Sequence, residues 1–169
     1  MNDKARELAH QLVRNFKTAP LEAFERPPLY ACQSARLASG TLARQLGASV
    51  DILPPGMRSC PYHLHHAQEE MFIVVEGSGT LRVAGEMLPI TAGDLLFLPA
   101  GPDYPHQLIN TSDAPLHYLS ISTRQTPEIC EYPDSGKHNV WAAGPAGAKD
   151  AFATVQRSGS SVDYWDGEP

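Results

Sequence analysis

The stretch HLHHAQEE, His63 to Glu70, gathers three of the chain's seven histidines and two adjacent glutamates. Side chains two apart on a strand point to the same face, so on a strand His63 and His65 would present two imidazoles side by side. Neutral imidazoles and carboxylates are ligands of divalent first-row metals. A carboxylate on the adjacent antiparallel strand would add a third corner. His106, which opens the run HQLIN after the proline-rich turn PAGPDYP, would add a fourth. Three imidazoles and one carboxylate suit one divalent transition metal ion, and Mn, Fe, Co, Ni and Zn all remain open. An HxH pair alone is weak evidence, because histidines also occupy strand faces as ordinary polar residues.

Glu69 and Glu70 are neighbours and on a strand would face opposite ways. The parity that runs into the apolar Phe72 and Val74 belongs to Glu70. Glu70 is therefore expected inside, with Phe72, Val74 and Leu108 lining or filling the interior, while His66 and Glu69 face solvent. Glu76 and Arg82 are expected on the outer face or in a subunit contact. His117 and Cys60 are weaker ligand candidates. Tyr62, Gln68 and Tyr104 flank the cluster and read as strand or loop packing before substrate contacts. No general base can be named, so the catalytic residues are unknown. Arg58 is the nearest basic residue, and no Lys/Arg cluster can be placed beside the histidines to support phosphate recognition.

These groups need a frame. The runs EEMFIVVEG, GTLRVAG, EMLPI, GDLLFLPAG, HQLIN and LHYLSIST are short, apolar and β-branched or aromatic, and each is bounded by Gly, Pro, Asn or Asp. Ala84-Gly85 reads as a tight hairpin turn, and Asn110 to Asp113 as another turn. Such regular spacing predicts an all-β sandwich or barrel. Residues 2–16 read as an amphipathic helix with Asn2 as N-cap, ended before Pro20 and packed on the main domain or a partner. In TLARQLGASVDIL the alternation of SVDIL favours strands over helix. After residue 124, EYPDSGK and WAAGPAGAKDA look like loops and SGSSVDYWDGEP like a mobile arm, with Tyr164 and Trp165 placed to pin it. One domain is expected: 1–49 helix and leading strands, 50–123 barrel core, 124–169 loops and arm.

A net charge of -6 without a Lys/Arg run argues against nucleic acid or an anionic membrane as partner. No run of apolar residues is long enough to span a bilayer, and the charged N-terminus has no signal-peptide core. Cys32, Cys60 and Cys130 are odd in number and form no CxxC pair, so free thiols in a reducing cytoplasm are expected.

Two ordered motifs then carry a resemblance. Gly56 is followed by six residues, His63-Leu64-His65, four residues, Glu70, six residues and Gly77. Gly93 is followed by five residues, Pro99-Ala100-Gly101, four residues, His106, three residues and Asn110. Fifteen residues separate Gly77 from Gly93. The chain resembles the cupins, specifically small single-domain bacterial members of the conserved-barrel type. It departs from their pattern by one extra residue before His63 and two within 102–105. The resemblance implies a jelly-roll barrel, or double-stranded β-helix, with His63, His65, Glu70 and His106 as metal ligands. The spacing from Glu70 to Gly77 selects Glu70 over Glu69. The resemblance implies a small-molecule ligand or substrate and a homodimer, and some members are described as sugar-phosphate isomerases. The function expected is a metal-dependent enzyme, an isomerase of a sugar or keto acid or a dioxygenase. The alternative is a non-catalytic metal-dependent binding or sensing module.

Overall fold

The computed structural model describes residues 2–144 and 152–169. The chain opens with helix α1, Asp3–Leu12, whose first turn is capped by the Asn2 side chain accepting from Ala5 N at 2.9 Å. The helix is shorter than the 2–16 expected. Arg14 donates to the His10 and Val13 carbonyls, and Asn15 accepts from Lys17 N in a turn of its own, so the chain leaves the helix at Val13. None of its residues is buried. Hydrogen bonds to the 39–42 loop tether it, through Arg14 to the Ser39 and Gly40 carbonyls and Leu42 N to the Gln11 carbonyl.

Thirteen strands follow: β1 Glu22–Arg26, β2 Tyr30–Arg36, β3 Leu46–Leu53, β4 Leu64–His65, β5 Glu70–Glu76, β6 Ser78–Val83, β7 Glu86–Thr91, β8 Leu95–Leu98, β9 His106–Ile109, β10 Leu116–Thr123, β11 Glu128–Tyr132, β12 Lys137–Ala142 and β13 Phe152–Arg157. The all-β expectation holds, and every run read as a strand between 69 and 123 is one. One sheet has the order β1-β2-β3-β10-β5-β8; facing it are β13-β12-β11-β4 and β7-β6-β9. An antiparallel bridge between His63 and His106 seams the two smaller sheets, with backbone bonds of 3.0 and 2.7 Å. The core lies between the layers, with Leu53, Phe72, Val74, Leu98, Leu116 and Tyr118 from one side meeting Leu81, Ile90 and Leu108 from the other. Each fully buried leucine contributes about 1.5–3 kcal/mol of transfer free energy.

Tight turns set the register. Ala84 and Gly85 both have positive φ (49° and 84°), which joins β6 to β7 as a two-residue hairpin. Gly77 has φ +85°, and a Cβ there would stand 2.4 Å from the Pro115 carbonyl oxygen, so only glycine fits. Asn110 is fully buried and closes the 110–114 turn, donating to the Leu53 and Ala114 carbonyls and accepting from Ser112.

The C-terminal segment differs from the irregular arm expected, since β11, β12 and β13 are strands. In EICEY the polarity is inverted. Glu128 and Cys130 face inward, 0% and 5% exposed, while Ile129 is 40% exposed, and the usual apolar-inside alternation is hidden. EYPDSGK turns β11 into β12 through a 3-10 turn, Pro133–Ser135, with Gly136 in the left-handed conformation. Arg82 clamps this turn with two bonds to Asp134, 2.6 and 2.8 Å, and its guanidinium lies 3.8 Å over the Tyr62 ring. Of the expected loop WAAGPAGAKDA, Trp141 and Ala142 end β12 and residues 145–151 lie outside the described residues. Residues 158–169 form no strand or helix. Tyr164 and Trp165 meet edge to face, ring centroids 4.9 Å apart, and stay exposed rather than pinning the arm.

Candidate metal centre

All four expected ligands meet at one end of the barrel. His63 and His65 flank the buried Leu64 at the short strand β4, His106 opens β9, and Glu70 opens β5. The carboxylate comes from the facing sheet rather than from a strand hydrogen-bonded to β4, which corrects the adjacent-strand expectation. Glu70 Oε2 stands 3.7 Å from His63 Nε2, 3.6 Å from His65 Nε2 and 2.9 Å from His106 Nε2. The imidazole centroids lie 5.0 Å apart for His63–His65 and 4.6 Å for His63–His106.

The far nitrogen of each ring faces an oxygen. His63 Nδ1 meets the Pro61 carbonyl at 2.9 Å, His106 Nδ1 meets the Tyr104 carbonyl at 3.1 Å, and His65 Nδ1 lies 3.6 Å from Glu128 Oε1. A proton on Nδ1 of His63 and of His106 satisfies the two carbonyls and leaves their Nε2 lone pairs aimed at Glu70, while His65, whose Nδ1 makes no hydrogen bond, turns its Nε2 to the same oxygen. Three lone pairs and a carboxylate converging on one point repel unless a cation or protons come between them. Burial alone would raise the Glu70 carboxyl, but His106, His63 and His65 hold it well below the usual carboxylate range. Burial alone would lower His63, yet Cys60 and Glu70 beside it hold it well above its ordinary value. His65 is lowered by burial, against the pull of Glu70. The donor set thus fits a divalent cation.

Glu128 is the residue that sequence reasoning missed. Fully buried, it accepts from His66 N at 2.9 Å, Gln68 N at 2.8 Å and Ala67 N at 3.3 Å, and so holds the turn after the HxH pair. Its Oε1 also stands 3.6 Å from His65 Nδ1, a buried atom with no hydrogen-bond partner among the described residues. Its signal in the sequence was a carboxylate at an inward strand position, obscured because β11 itself went unread.

Cys130 forms a second possible grouping. Its sulfur and one ligand atom each of His63 and His65 all lie within 4.8 Å of one another. Burial pushes the Cys130 thiol up, whereas the imidazole and carboxylate set needs no proton taken from sulfur. Cys60 Sγ sits 3.7 Å from His63 Nδ1, on the side away from Glu70. All three cysteines are free, as expected.

The other expectations sort clearly. His66 turns outward and pairs with Glu131 at 2.7 Å, and Glu69 is exposed. His117 pairs loosely with Glu76, 3.9 Å away. Phe72, Val74 and Leu108 are buried in the core. Tyr62 is packed, accepting from Gly85 N, while Tyr104 lines a cavity of about 600 Å³ that opens beside Glu70. Its apolar wall is Met71, Phe97 and Ile121, which pair across β5, β8 and β10 on the face opposite Glu70, so with Glu69 it opens on the outer side of the sheet and none of the three histidines lines it.

Comparison with known proteins agrees with this architecture. Residues 49–122 match the sequence profile of the cupin domain. The chain carries a cupin domain of the cupin-2 type, in a jelly-roll barrel. The structure of a sugar phosphate isomerase of the cupin superfamily from Silicibacter pomeroyi superposes with a TM-score of 0.73 at 25% identity, covering 87% of this chain and 93% of that one. An uncharacterized protein of Methanocaldococcus jannaschii is 31% identical over 71 residues, 42% of this chain and 54% of that protein. An oxalate-binding protein of Thermotoga maritima is 33% identical over 69 residues, 41% of this chain and 54% of that protein. The chain thus spans about half the length of these two curated relatives. No helix among the described residues is long and apolar enough to cross a membrane.

Proposed function

We propose that His63, His65, Glu70 and His106 hold one divalent transition metal ion, and that the protein is a metal-dependent enzyme acting on a small polar metabolite. The convergence of three Nε2 atoms on one Glu70 oxygen, with every Nδ1 turned to an oxygen, carries this reading. Bound there, the ion would supply Lewis-acid polarisation of a carbonyl or hydroxyl, or activation of dioxygen if it is iron. Isomerisation of a sugar or keto acid is favoured by the likeness to the Silicibacter pomeroyi protein, and a dioxygenase is the other enzymatic form of this reading.

A non-catalytic binding module is the second reading, favoured by the likeness of the core to an oxalate-binding protein. Nuclear magnetic resonance in D2O separates the two. An isomerase exchanges the C–H next to the substrate carbonyl for deuterium and stops when a chelator is added. A binding module shifts ligand signals without exchange. Failure to find a divalent metal in the purified protein would refute both readings.

A homodimer in a reducing cytoplasm fits the same picture. The outer face of β5 and β8 carries Met71 and Ile73 beside Phe97 and Leu95, the latter two 69% and 52% exposed, a patch that a second copy would cover. Sedimentation at micromolar concentration should give a single species of twice the chain mass, and a clean monomer would reject the dimer.

A further inference from the structure

The inner face of the six-stranded sheet changes character near its β2–β3 side. Across the strands, Arg36 pairs with Ser49 and Ser49 with Ser120, while Gly47 pairs with Ser122 and Ser122 with Glu70. Residues paired directly across a sheet share a face, so these polar groups lie on the same face as Glu70 and the core residue Phe72. A pocket of about 250 Å³ forms there, with Arg36, Arg124, Ser39, Ser122 and Gln68 in its wall and Trp141 of β12 facing them. It contains no carboxylate.

Several observations mark it as a site for an anion. The chain is acidic overall, net charge -6, yet two arginines far apart in the sequence meet at one pocket. Among the described residues neither Arg36 nor Arg124 makes an ion pair, unlike Arg82 with Asp134, and neither donates a side-chain hydrogen bond. The hydroxyls of Ser39, Ser120 and Ser122 likewise have no partner there, whereas Ser49 is committed to Asp51. Gly47 keeps the pocket open, because a Cβ at that position would stand 2.7 Å from Ser122 Oγ and 4.0 Å from Arg124 Cδ. Ser122 of this pocket pairs directly with Glu70 across β10 and β5. One strand spacing, about 5 Å, separates its column from that of Glu70.

We propose that this pocket binds the phosphate group of a small phosphorylated metabolite whose other end reaches the centre formed by Glu70 and the histidines. The proposal rests on the reading of that centre as the reaction site. Two guanidinium groups match the double charge of a phosphate monoester, and their forked donors suit its oxygens. The serine hydroxyls supply further donors, and the Trp141 ring offers a flat wall. No basic cluster was visible in the sequence because Arg36 and Arg124 are brought together only by the pairing of β2 with β3 and β3 with β10.

Calorimetric titration of the full-length, metal-loaded protein with inorganic phosphate tests this, beside Arg36→Gln, Arg124→Gln and the double variant. Metal content and melting temperature are measured on every sample. Each single variant should weaken phosphate binding roughly tenfold to a hundredfold, as expected for loss of a charge-assisted hydrogen bond, with metal content and melting unchanged. Equal phosphate affinity in wild type and double variant would overturn the proposal, since phosphate would then sit on the metal alone. Absence of phosphate binding to the wild type would overturn it as well. If the wild type carries no metal but still binds phosphate through both arginines, the pocket stands and the metal reading falls.

Discussion

Replacing Glu128 by Gln exchanges an acceptor for a donor at a point where the backbone offers only donors. In the wild type one carboxylate oxygen receives His66 N, and the other receives Ala67 N and Gln68 N. A glutamine amide has one oxygen. Turned toward Ala67 N and Gln68 N, it sets its NH2 against His66 N, which keeps the Ile129 carbonyl at 3.0 Å. Losing the charged acceptor and facing two donors together costs about 1–3 kcal/mol. For a chain of this length each kcal/mol moves the melting temperature about 2–4 °C, so a fall of roughly 2–12 °C is expected. The second effect is on the metal. An acceptor beside the free nitrogen of a ligating histidine fixes the ring and raises its basicity, and losing it costs about 10–100-fold in metal affinity. Calorimetry of chelator-treated protein reads the first effect, and competition against a chromophoric chelator reads the second. A Glu128→Gln protein that melts with the wild type and binds metal as tightly would refute the role assigned to Glu128.

Three further outcomes are expected. Glu70→Gln should lose most of the bound metal in elemental analysis while Glu69→Gln keeps it; equal metal in both would overturn the register that turns Glu70 inward. In metal-free protein the Glu70 carboxyl is held below its ordinary value, so its contribution is complete above about pH 4.5 and is lost as pH falls further. Melting temperature should therefore drop below that pH in the wild type and change less in Glu70→Gln; identical acid profiles would contradict the pairing. Gly77→Ala should destabilise by at least about 2 kcal/mol, from positive φ and the clash with the Pro115 carbonyl, as read by urea unfolding; a near-neutral result would mean that the turn relaxes.

Much of this was legible in advance because local rules and packing agree between β5 and β10. Phe72 and Val74 alternate with outward residues, and the same alternation carries Glu70 to the inside. Spacing marked His63 and His65 as a candidate pair, two apart on an extended segment, and the two cupin-like motifs completed the candidate set with Glu70 and His106. What was hidden depended on pairing between distant segments. The sequence near Glu70 does not reveal that the carboxylate reaches across from the facing sheet. β11 escaped notice because its inward positions are Glu128 and Cys130, which look like surface and accident until their partners, the 66–68 backbone and the histidines, are in place. The helix ran short for a local reason, the competing bonds of Arg14 and Asn15.

Strand β4 is only two residues long. One side pairs with β11, Cys130 opposite His65 and Glu131 opposite Leu64, and on the other His63 bridges to His106. The boundary that similarity draws at residue 122 therefore passes between the candidate ligands and the segment that braces them. A chain could keep every motif residue and still lose the site by changing its C-terminal hairpin. Conversely, the hairpin could be exchanged to retune the stiffness of the HxH pair without touching a ligand. The heritable unit of this centre is the core together with its brace, and two proteins with identical motifs need not hold a cation equally firmly.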